Sequence, residues 1–272
     1  MWGICKLLQP PRVLFAGGCH VDGFPVGADL SISAVALRSI DHPAATAPES
    51  LVYMNLRTGP KLAEACRERQ TEILVLQLGH YETLPRFEKL LRIRRYRSDG
   101  FSMADPETYI PAPGRRYQPT LKARSIQARR LALAAAFRAV GLGNRVFDLA
   151  AMVAGLDSIF ANLAPLGLRA ILLLSPFPCP DPLSHSLRRR AAPVFAQAAQ
   201  RHGCVYVDAF TMLEAFPAGP TFNANFADAE HLSRDGHQGV GVLIGQHLRR
   251  VIESGIGYQL KPPDGGGQAP SN

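Results

Sequence analysis

The chain alternates between short apolar runs and longer amphipathic stretches. Apolar runs at 12–16 (RVLFA), 51–56 (LVYMNL), 73–78 (ILVLQL), 170–175 (AILLLS) and 204–207 (CVYV) have strand length and no polar alternation. Runs of that kind predict parallel strands buried on both faces. Between them lie stretches with helical spacing at 30–38, 61–70, 85–96, 121–140, within 145–166, at 183–202 and at 231–252. Pro60 suits the first turn of the second helix, and Gly203 suits the end of the 183–202 helix. Five strands with helices between them predict an α/β protein. Its architecture is a three-layer α/β/α sandwich around a mostly parallel sheet.

One region breaks the alternation. Residues 98–119 hold four prolines with no clear period. The segment at about 84–130 is therefore expected to be an insertion or lid on a single domain spanning 1–260. The tail from Lys261, KPPDGGGQAPSN, is expected to be disordered.

Charge changes this picture in one place. The chain carries a net charge of +8, and residues 86–130 contain twelve Lys/Arg against four acids, so this stretch accounts for the whole excess. Such a block steers anionic partners, or it is simply a solvated arginine-rich face. No nucleic-acid recognition motif accompanies it, and no nucleic-acid partner is expected. No run of eighteen apolar residues occurs, so no membrane span is expected. The N-terminal apolar stretch is short and is cut by Pro10-Pro11, which fits no signal peptide and leads to the expectation of a cytoplasmic protein. With 47% hydrophobic residues the chain can bury a substantial core. The five cysteines, Cys5, Cys19, Cys66, Cys179 and Cys204, are odd in number, widely spaced and without a C-x-x-C pair. No disulfide frame, metal site or cofactor is expected from them.

Candidate chemistry lies at the two ends of the chain. The first strand breaks into Gly17-Gly18 and then offers Cys19 and His20. Open parallel sheets place their sites just beyond the carboxyl ends of strands. Near the other end, Asp228 and His231 stand three apart, followed by Leu232, Ser233 and Gly236-His237. A carboxylate one turn from a histidine can fix the imidazole in one tautomer while its other nitrogen faces a nucleophile. Alternatively, Asp228 caps the final helix and His231 packs at its start.

The pattern Asp-x-x-His-Leu-Ser-x-x-Gly-His, with a first strand ending in Gly-Gly-Cys, resembles the SGNH/GDSL hydrolase family, from Arg12 to about Val251. The resemblance implies a flavodoxin-like sheet and acyl-ester chemistry. It implies a nucleophile at Cys19, with a thiol where the family carries serine, and His231 and Asp228 as its partners. The oxyanion donors it implies are the Cys19 N–H, a glycine after strand two matched by Gly59, and the residue at Tyr81. Tyr81 stands in Gly79-His80-Tyr81-Glu82 where the family has an asparagine. His20, His80 and Arg57 are expected to line the substrate site, and His237 to pack or touch substrate. The expected substrate is a small-molecule or carbohydrate acyl ester. Alternatives are a transferase drawing on acyl-CoA in polysaccharide modification, or a degenerate member that binds a glycan or an anionic ligand without turnover. The Gly239-Val240-Gly241 and Gly245 cluster follows no strand, so close helix packing explains it better than a dinucleotide loop.

Overall fold

A computed structural model describes residues 10–87, 117–215 and 222–254. Most of the expected insertion, residues 88–116, and the tail at 261–272 lie outside the described residues, as do the expected helix over 88–96 and Cys5.

Five parallel strands form one sheet in the order β2-β1-β3-β4-β5. They are β1 (Val13–Ala16), β2 (Glu49–Leu51), β3 (Ile73–Gln77), β4 (Ala170–Leu174) and β5 (Val205–Val207). Each of the central strands β1, β3 and β4 is buried along its whole length. Successive side chains point to opposite faces, and the two cores divide accordingly. Leu14, Leu74, Leu76, Ile171 and Leu173 enter one core. Val13, Phe15, Val75, Leu172 and Leu174 enter the other.

The first core is covered by α2 (Gly59–Glu68), α3 (Leu121–Ala139), α4 (Leu149–Leu163) and α5 (Pro182–His202). The second is covered by α1 (Ile32–Arg38), α6 (Ala209–Ala215) and α7 (Arg234–Ser254). The three layers and the five-stranded parallel sheet are those the apolar pattern predicts. Side chains cap the helices where the sequence offers them: Ser31 for α1, Thr120 for α3, Asp148 for α4 and Asp181 for α5 each accept a backbone N–H of the first turn.

The glycines of α7 serve helix packing. A Cβ on Gly241 would stand 2.5 Å from Val35 Cβ, and one on Gly245 would stand 1.7 Å from Ser39 Oγ, so α7 lies directly on the backbone of α1.

Two boundaries differ from expectation. Strand two ends at Leu51 rather than running to Leu56. Tyr53 takes a left-handed conformation with φ 61°, which breaks the extended run. Met54 and Leu56 are apolar because they fill the helical layer, not because they belong to a strand. Residues 121–130, expected within the insertion, form the first half of α3. Ala123 and Arg130 are buried there, and Arg130 is paired with Asp181 at the start of α5.

Strand order reverses at β1, since β2 lies on one side of it and β3 on the other. The crevice at the carboxyl ends of β1 and β3 is where ligands bind in sheets of this kind.

Candidate functional site

The turn after β1 sits at that crevice. Gly17 N–H donates to Leu51 O at 2.9 Å, and Gly17 O accepts from Met54 N at 2.9 Å, which ties the turn to the loop after β2. A Cβ on Gly17 would meet Gln77 O at 2.5 Å, so only glycine lets β1 and β3 approach so closely here. Gly18 N–H donates to Gln77 Oε1 at 2.7 Å. Cys19 then opens a short 3-10 turn, Cys19–Asp22, and is partly exposed. As the first residue of that turn it presents an N–H that the turn itself does not use.

The loop before α7 brings the partners. His231 Nδ1 lies 2.8 Å from Asp228 Oδ2 and 3.0 Å from Oδ1. Asp228 Oδ1 also accepts the backbone N–H groups of Glu230 at 2.7 Å and His231 at 2.8 Å. The buried carboxylate therefore folds its own loop and orients the ring. With Nδ1 engaged, Nε2 is the nitrogen left to face the Cys19 thiol. Burial works against a charged His231, but the hydrogen bond to Asp228 and the charges of Asp228 and Cys19 overcome it and push its pKa up to about 10. The Phe24 ring packs edge-on against His231 at a centroid distance of 4.8 Å.

Ser233 and His237 have structural work. Ser233 Oγ donates to Ala224 O at 2.8 Å and accepts from Gly236 N at 3.2 Å, pinning the start of α7. His237 is fully buried, and burial lowers its pKa to about 3, so the ring is neutral.

The structure brings Cys19, His231 and Asp228 together and places Tyr81 beside them. Tyr81 is 37% exposed. Its pKa is raised by partial burial and then by the charges of Cys19, Tyr53 and Glu82, so its hydroxyl keeps its proton. One expectation is corrected, that His20 lines the substrate surface. Gly59 is the first residue of α2 and faces α4, where a Cβ would lie 3.0 Å from Asn162 Nδ2. The left-handed turn after β2 falls at Tyr53. His20 is 1% exposed and lies behind the nucleophile, so it lines no substrate surface. Arg57 is exposed on the loop before α2, where its N–H donates to Asn55 Oδ1 at 2.9 Å.

His80 belongs to a charged group that sequence reasoning missed. Arg188 on α5 is 1% exposed and reaches Glu230 Oε2 at 2.5 Å and His80 Nδ1 at 3.2 Å. His80 Nε2 lies 3.7 Å from the same Glu230 oxygen. Glu230 thus links the loop of His231 to α5 and to the loop after β3. The one sequence signal was an arginine at a position where α5 turns apolar residues inward, next to Leu187. Glu82 was also missed. Its two oxygens accept Leu56 N at 2.8 Å and Gly79 N at 3.0 Å, and burial raises its pKa. Among the described residues no cluster of three or more His, Cys, Asp or Glu could hold a metal ion.

No protein-family model and no curated protein matches the chain. Solved structures do. One is a family 3 carbohydrate esterase from Clostridium thermocellum, with a TM-score of 0.51 at 10% identity over 91% of this chain and 100% of that one. Another is LAE5, an α/β hydrolase enzyme from the metagenome of Lake Arreo, with a TM-score of 0.50 at 14% identity over 90% of this chain and 96% of that one. At these identities the likeness is one of fold, and it extends over nearly the whole chain.

Proposed function

We propose that the protein cleaves or transfers acyl esters through a Cys19–His231–Asp228 triad. The observation that carries this reading is the Asp228–His231 hydrogen bond, with Cys19 close enough for its charge to act on the ring, at the switch point of the sheet. The fold shared with an esterase and an α/β hydrolase supports it, as does the Asp-x-x-His-Leu-Ser-x-x-Gly-His sequence.

In the first step Cys19 Sγ attacks the ester carbonyl carbon, and the thiol proton resides on His231. Asp228 stabilises the resulting imidazolium. The oxyanion is received by the Cys19 N–H, with the protonated Tyr81 hydroxyl as the side-chain donor. Collapse breaks the carbon–oxygen bond, His231 protonates the departing alcohol, and a thioester remains on Cys19. Water or an acceptor hydroxyl then attacks the thioester. His231 takes its proton and returns it to the sulfur, and the acid or the new ester leaves. The substrate class is a small-molecule or carbohydrate ester, and an acyl-CoA donor belongs to the transfer branch of the same chemistry. The triad serves an oxyester or a thioester donor alike.

The test is a chromogenic acetyl ester offered to the wild type, Cys19→Ala and His231→Ala, with acetylation located by mass spectrometry. Turnover in the wild type with an acetyl group trapped on Cys19, both lost in the two variants, is the expected result. Full turnover in either variant would remove the triad. Ligand binding that survives Cys19→Ala, with no ester turned over by the wild type, would favour a non-catalytic binder.

A further inference from the structure

His20 is 1% exposed, and the triad does not use it. Its ring lies 5.7 Å from that of His80, 5.7 Å from His231, 5.6 Å from His237 and 5.4 Å from Phe177, centroid to centroid. These neighbours come from four places: the loop after β3, the loop before α7, α7 itself and the loop after β4. Its one hydrogen bond among the described residues joins the chain's two ends. Leu232 N–H donates to His20 Nε2 at 3.3 Å.

That bond fixes the state of the ring. An imidazole nitrogen that accepts carries no proton, so the proton sits on Nδ1, which finds no acceptor among the described residues. A second proton on Nε2 would turn the acceptor into a donor facing a donor. It would also add a charge beside His231, His80, His237 and the Arg188–Glu230 pair. Burial above all, and the charges of His231 and Arg188 beside it, hold His20 in the neutral form.

We infer that His20 is a positioning residue: as a neutral acceptor it holds the Leu232 N–H, and thereby the His231 loop, against the nucleophile turn. The nucleophile and its base lie more than two hundred residues apart in the chain, on loops that must keep a fixed spacing for proton transfer. A hydrogen bond donated by the residue after His231 to the side chain of the residue after Cys19 sets that spacing. A buried apolar side chain would fill the space but could not accept the amide, which would then be left unpaired at a cost.

The inference rests on the triad only for its catalytic consequence, and its test needs no turnover. Exchange of the Leu232 amide is followed by NMR at neutral pH in the wild type, His20→Gln and His20→Leu, relative to interior α7 amides. Gln offers an acceptor near the place of Nε2. Leu232 is expected to be protected in the wild type and in His20→Gln, and to exchange roughly tenfold faster in His20→Leu. An unprotected Leu232 amide in the wild type, or full protection in His20→Leu, would overturn the inference. Should His20→Leu fail to fold, His20→Phe, which keeps a ring and removes the acceptor, takes its place. A failed esterase assay with the expected exchange pattern would remove the enzyme reading and leave the positioning role of His20 intact.

Discussion

His231 Nδ1 sits 2.8 Å from Asp228 Oδ2, and the same carboxylate accepts two backbone N–H groups of its own loop. One side chain therefore shapes the loop and orients the base. Asp228→Asn keeps the size but removes the charge and offers one oxygen where two now serve. In hydrolases with a Ser-His-Asp triad the equivalent change costs about 10⁴ in turnover, through the wrong imidazole tautomer. A loss of about that size is expected in ester turnover here, and a steady-state assay at neutral pH measures it.

The raised pKa of His231 also makes a stability prediction. Its folded-state value, about 10, lies above the ordinary 6.5. The imidazolium therefore favours the folded state fully below about 6.5, and this contribution is lost as the pH rises through about 10. Denaturant midpoints of the wild type and His231→Gln should converge over that window. A difference unchanged from pH 6.5 to 10 would contradict the shift.

Glu230 and Arg188 make the second buried ionic contact of the site. Glu230→Ala leaves a fully enclosed guanidinium without its carboxylate, while Arg188→Met fills the space without a charge. Breaking a buried pair from one side costs about 3–5 kcal/mol, and the partial exposure of Glu230 puts the expected loss at the lower end. The double variant Arg188→Met/Glu230→Ala should recover part of it, as a urea-unfolding cycle would show.

Glu82 holds the N–H groups of Leu56 and Gly79, one from each loop flanking the site. Hydrogen bonds to a charged group are worth about 1.5–3 kcal/mol each. Glu82→Ala should cost about that much or more in unfolding free energy, and Glu82→Gln, which keeps one oxygen, distinctly less.

The α1–α7 contact predicts that added bulk is harmful. Gly241→Ala places a methyl 2.5 Å from Val35 Cβ. Overpacking of this kind costs about 1–3 kcal/mol, against a gain in helix propensity of at most about 1 kcal/mol. A net fall in thermal midpoint is expected.

How far these features could be read in the sequence depends on their chemistry. The β1, β3 and β4 runs announced themselves because both faces of a central strand are apolar. Cys19, Asp228 and His231 were legible because a glycine break and a three-residue spacing are local. Met54 and Leu56 misled because burial in a helical layer has the same composition as burial in a strand. His20 read as a site residue because it neighbours Cys19, and only the fold shows that it is buried while Cys19 stays partly exposed. Arg188 and Glu230 meet across 42 residues, and nothing local marks such a pair.

The most direct measurement is the rate of Cys19 alkylation at neutral pH by a small thiol reagent, assigned to the residue by mass spectrometry, in the wild type and His231→Ala. A charged imidazole beside a thiol favours the reactive thiolate. The expected result is rapid labelling of Cys19 in the wild type, much faster than that of the other cysteines, and slow labelling in His231→Ala. An inert Cys19, or one labelled at the same rate in both proteins, would contradict the activated pair.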